Sequence, residues 1–100
     1  MSVVVTLKFR ANVQKLEALF VTNEAEFEEI AAAAKDMGAL RHRFVAAEGE
    51  ALVIDEWESA EAFDKFFTSQ QRIPELMAEA DVTGPPEVKF YRPIDDPGEF

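Results

Sequence analysis

The stretch from Gly38 to Ser59 holds two short apolar runs divided by Glu48-Gly49, and it constrains the fold more than any other segment. A two-residue turn at Glu48-Gly49 makes the stretch a β-hairpin in which Ala47 pairs with Glu50. Continuing that register sets Phe44 opposite Val53, His42 opposite Asp55 and Leu40 opposite Trp57, all on one face. The other face takes Arg41 opposite Glu56, Arg43 opposite Ile54 and Val45 opposite Leu52. The only histidine of the chain therefore meets a carboxylate amid Leu, Phe, Val and Trp.

The segments on either side supply the rest of a domain. Val3 to Phe9 is β-branched and aromatic, with Val3, Val5, Leu7 and Phe9 on one face, as in a central strand. From Asn12 to Met37 the apolar residues Val13, Leu16, Phe20, Phe27, Ile30, Ala34 and Met37 recur at helical spacing. Val21-Thr22 is a weak helical pair, and Asn23 with Glu26 reads as a capping box. The spacing thus predicts one bent helix or two short ones meeting near residues 21 to 23. Gly38 closes the element as a C′ glycine. After the hairpin, Ser59 caps a helix whose apolar face is Ala62, Phe63, Phe66 and Phe67. Pro74 suits the first turn of a further piece running through Ala80, with Ile73, Leu76 and Met77 inward. Gly84-Pro85-Pro86 reads as a turn and Val88 to Arg92 as a last strand.

The order β-α-β-β-α-β specifies an α+β fold, ferredoxin-like, with an antiparallel four-stranded sheet and the helices on one face. One hundred residues make one domain, with 1–94 as its body and 95–100 as an acidic tail that packs little. On the hairpin, the side bearing His42, Asp55 and Trp57 is the one the helices cover. The opposite side leaves Val45, Leu52 and Ile54 open to water. Burying a large aliphatic side chain contributes about 1.5–3 kcal/mol, so a homodimer stacked through this sheet face is expected.

Composition excludes several partners. A formal net charge of −10 is wrong for a phosphate-lined groove or an anionic membrane surface. Without cysteine the chain has no disulfide, thiolate nucleophile or Cys-ligated metal. One histidine with dispersed carboxylates does not make a metal site. No signal peptide or membrane-spanning run is legible, so the expected compartment is the cytoplasm.

The β-α-β-β-α-β order, the run Gly38-Ala39-Leu40-Arg41-His42-Arg43-Phe44 and the run Asp55-Glu56-Trp57-Glu58-Ser59 followed by Glu61-Ala62-Phe63 resemble the antibiotic-biosynthesis monooxygenase (ABM) domain family of dimeric α/β-barrel proteins. The likeness covers about residues 3 to 93 and is nearest to small ABM-like proteins of actinobacterial type. It implies a ligand pocket between sheet and helices, and one of two activities. Quinone-forming members oxidise phenolic polycyclic substrates with oxygen and neither metal nor flavin; haem-degrading members hold haem between helices and sheet. Trp57 matches the tryptophan ending strand three of the quinone-forming type. That type's polar partners fall on Val53 and Phe63, which cannot hydrogen-bond a substrate oxygen. The helical histidine of the haem-degrading type is missing around Leu76 and Met77.

Two readings of His42 and Asp55 stand side by side. An imidazole oriented by a carboxylate can take a proton from a phenol or an activated carbon acid as a general base. The same pair can also serve only to fix strand register as a self-satisfied polar contact. On the first reading Trp57, Phe44, Phe63 and Phe66 line a site for a small aromatic molecule, and Tyr91 places a hydroxyl at its mouth. No cofactor is required. On the second the fold is a non-catalytic ligand-binding or interaction protein.

Overall fold

The computed structural model describes residues 2–100. Alternation along β1 (Val3–Arg10) turns Val5, Leu7 and Phe9 into the interior. Two helices follow, α1 (Val13–Thr22) and α2 (Glu24–Asp36), then the hairpin strands β2 (Ala39–Ala47) and β3 (Glu50–Trp57). Helices α3 (Ala60–Ser69) and α4 (Arg72–Glu79) lead to β4 (Glu87–Tyr91). The sheet order is β2-β3-β1-β4 with every neighbour antiparallel, which is the ferredoxin-like arrangement expected of the order of elements. Among the described residues, no helix is long and apolar enough to cross a membrane.

Local chemistry accounts for most of the boundaries. The Asn12 side chain accepts the Lys15 amide at 3.0 Å to start α1, and Ser59 accepts the Ala62 amide at 3.1 Å to start α3. Met37 ends α2, and Gly38 follows at φ +115°, a conformation that side chains resist. The chain divides into two helices at Asn23, but not through a capping box. Asn23 accepts no backbone amide with its side chain; its amide nitrogen instead reaches the Glu26 carboxylate at 3.5 Å. Its backbone still bonds Leu19 on one side and Phe27 on the other, so the break is a bend in a nearly continuous helix. The final strand starts one residue earlier than its apolar pattern suggests and ends at Tyr91.

The hairpin register from Arg41 to Ala47 is the expected one, with His42 facing Asp55 and Phe44 facing Val53. It fails at Leu40. A β-bulge inserts that residue, so Ala39 rather than Leu40 pairs with Trp57, and Leu40 is left 53% exposed. One extra residue on the bulged strand releases the alternation that would have aimed a leucine at the indole. The core gathers on the helix-covered face around Val5, Leu7, Val53, Trp57, Phe63 and Phe66, with Leu76 of α4 fully enclosed. None of the residues of α2 is buried. Its inward residues Ile30, Ala33 and Ala34 are only partly buried, packed against that core.

Candidate functional site

The gap beneath α2 is a cavity of about 740 Å³ between the sheet and the helices. Its walls are mostly apolar: Phe9, Phe44, Val53 and Trp57 from the sheet, Phe27, Ile30 and Ala34 from α2, and Phe63, Phe66 and Met77 from α3 and α4. Pro85 and Pro86 also line it. A space of this size and lining suits a flat apolar molecule.

His42 and Asp55 both border it. The His42 ring lies with Nδ1 2.7 Å from Asp55 Oδ1. The Trp57 indole Nε1 donates to the other carboxylate oxygen, Oδ2, at 3.1 Å. Asp55 is 7% exposed and Trp57 1%, whereas the His42 side chain keeps 45% of its surface open. An ionised carboxylate only accepts, so in the neutral ring Nδ1 carries the proton and Nε2 is left as an acceptor. Phe44 meets the imidazole edge to face with centroids 5.4 Å apart. Trp57 is gripped by Phe63 at 5.7 Å and Phe66 at 5.3 Å, contacts of about 0.5–1.5 kcal/mol each.

Six of the seven residues expected at the site therefore converge: His42, Asp55, Trp57, Phe44, Phe63 and Phe66. Tyr91 does not. It pairs with Val4, on the sheet face away from the helices, and its ring lies 5.8 Å from the Lys89 ammonium. Strand alternation gives the inward position to Phe90 instead, whose ring meets Phe63 at 5.7 Å. Helical spacing placed Phe20, Phe27 and Ile30 on one apolar face without assigning them to the site. Here they line the cavity. The alanine run of α2 was the available sign, since small side chains on an inward face leave space. The indole bond to Asp55 was legible too: positions two apart on a strand share a face.

Among the described residues, no three His, Cys, Asp or Glu side chains cluster as metal ligands would. The haem arrangement implied by the likeness needs a helical imidazole, and the one histidine lies on β2 with Nδ1 against Asp55. These residues do not fit that group.

No protein-family model matches the chain, and no curated protein matches it. Solved structures do. SnoaB, a cofactor-independent oxygenase from Streptomyces nogalater, superposes with TM-score 0.67 at 16% identity over 98% of each chain. A monooxygenase from the gene ActVA-Orf6 of Streptomyces coelicolor, in complex with nanaomycin D, gives TM-score 0.59 at 22% identity over 95% of this chain and 88% of that one. A protein from Chloroflexus aurantiacus, named as a candidate antibiotic biosynthesis monooxygenase, gives 0.62 at 17% identity over 98% of each. With its split βαβ sheet and one-sided helical layer, the chain has the fold of the antibiotic-biosynthesis monooxygenase type.

Proposed function

We propose that this protein belongs with the ABM proteins in activity as well as fold: it binds a small aromatic or polycyclic molecule and oxidises it with molecular oxygen without a cofactor. The observation that carries the reading is a carboxylate-oriented imidazole at the wall of a roomy aromatic cavity. His42 Nε2 takes a proton from a phenol or from a CH₂ flanked by aromatic rings, and Asp55 stabilises the imidazolium that forms. Delocalisation over the rings makes the carbanion electron-rich enough to reduce oxygen. The overall step balances without a further reductant. At a CH₂, two C–H bonds break and one C=O forms; at a phenol, the O–H and the ring C–H para to it break and two C=O bonds form. In both cases the second oxygen atom leaves as water with the two hydrogens, and four electrons pass from the substrate to oxygen. Oxygenase and monooxygenase names among proteins of the same fold, one of them holding nanaomycin D, support this substrate class.

The working unit in this proposal is a homodimer through the uncovered sheet face. Val45, Leu52 and Ile54 lie there half-buried, beside an Arg41–Glu56 pair at 3.9 Å. Neither nucleic acid nor membrane is a partner, and the expected compartment is the cytoplasm.

An anthrone serves as the test substrate, with oxygen uptake and quinone absorbance as readouts. His42→Ala and Asp55→Asn should each lower turnover by about 10²–10⁴-fold, the usual worth of general base catalysis, while anthrone binding persists. Binding without turnover in the unaltered protein would leave a ligand carrier, the reading that Val53 and Phe63 favour. Unchanged turnover in His42→Ala would remove the base.

A further inference from the structure

We propose that Trp57 is a positioning residue that sets the protonation pattern of the His42 ring through Asp55, so that α3 controls the base mechanically. The inference rests on His42 acting as the base, and goes beyond it by assigning the indole N–H a role distinct from forming a wall.

The terminal torsion of a carboxylate is soft and roughly two-fold, so a single hydrogen bond does not hold Asp55 in one orientation. Two bonds do. Oδ1 meets His42 Nδ1 at 2.7 Å and Oδ2 receives the indole N–H at 3.1 Å, so the carboxylate is pinned at both ends. Indole is a donor only and cannot exchange roles, so Oδ2 is fixed as an acceptor and Oδ1 is left to face the imidazole. The indole is itself closely packed: it is 1% exposed and lies against Phe63 and Phe66 of α3. A chain of contacts thus runs from α3 through indole and carboxylate to the imidazole. The bulge at Leu40 belongs to the same arrangement, because it puts the small Ala39 rather than a leucine across from Trp57. A histidine side chain with no partner favours the proton on Nε2. The pinned carboxylate demands it on Nδ1, which leaves Nε2 free to accept.

Because the chain has one histidine and one tryptophan, the test is clean. In protein labelled with ¹⁵N-histidine, long-range ¹H–¹⁵N spectra at a pH where the ring is neutral report which nitrogen holds the proton. The unaltered protein should show a protonated Nδ1 and a bare Nε2. Trp57→Phe should draw the two nitrogen shifts together, as the proton becomes shared between sites. Since that change also removes volume from the core, the second variant replaces Trp57 with β-(3-benzothienyl)alanine, which has nearly the same shape but no N–H. It should reproduce the shift change while the far-ultraviolet dichroism and most amide resonances stay in place. Unaltered nitrogen shifts in the benzothienyl protein would overturn the role of Trp57 and leave His42 as the base. A protonated Nε2 in the unaltered protein would instead overturn the oriented base itself.

Discussion

At Gly38 the backbone stands at φ +115°, and a Cβ there would lie 3.3 Å from Ala62 Cβ and 3.3 Å from a Glu58 carboxylate oxygen. The position ends α2, and its carbonyl accepts the Glu58 amide at 2.9 Å, so it joins the hairpin to the approach of α3. Gly38→Ala therefore combines an unfavourable backbone conformation with a tight contact, and should cost about 1–3 kcal/mol. Urea denaturation of the two proteins measures it. Asp55 shows the residue scale from the side of function. Its alternation with Trp57 and its register with His42 were both written in the sequence, and both contacts form. Leu40 was not legible, because nothing in an alternating run signals that one residue will be looped out of it. Tyr91 was misplaced for a smaller reason: on a five-residue strand, one step separates the covered face from the uncovered one.

Among the helices, α2 is held differently from the rest. It buries no residue, and Arg72 at the start of α4 grasps its Glu26 through Nε at 2.7 Å and a second nitrogen at 3.3 Å. Glu75 and Glu79 stand 3.5 and 3.9 Å from the same guanidinium. The Arg72 hydrogen bond holds the Glu26 carboxyl below its ordinary range, and Glu26 in turn raises the Arg72 guanidinium above its own. A carboxyl lowered by folding stabilises the native state above its unfolded value, and that contribution disappears as pH falls through the lowered one. The pair should accordingly help hold α2 near neutrality and release it in acid. In Glu26→Gln, amide exchange across α2 should quicken at neutral pH, and the difference from the unaltered protein should shrink on acidification or in high salt. Helix existence and the caps at Gly38 and Ser59 were readable from the sequence. The partial burial of α2 was not, since periodicity identifies an apolar face without saying how deeply it is buried.

At the scale of the whole molecule, the two sheet faces have opposite chemistry. The helix-covered one holds the aromatic cavity; the other presents Val45, Leu52 and Ile54. Association through the second face predicts that Ile54→Glu yields a monomer in sedimentation experiments, because the sheet-to-sheet contact would have to desolvate a charge where an isoleucine was buried. An unchanged sedimentation coefficient would place any dimer contact elsewhere. The cavity has a simple optical corollary. The single indole of the chain forms part of its wall, shielded from solvent and hydrogen-bonded to the carboxylate beside the imidazole. Ultraviolet emission from this protein therefore comes chiefly from one fluorophore, placed where an aromatic guest would quench it. Occupancy of the site can be followed in the native chain, with no dye or label attached.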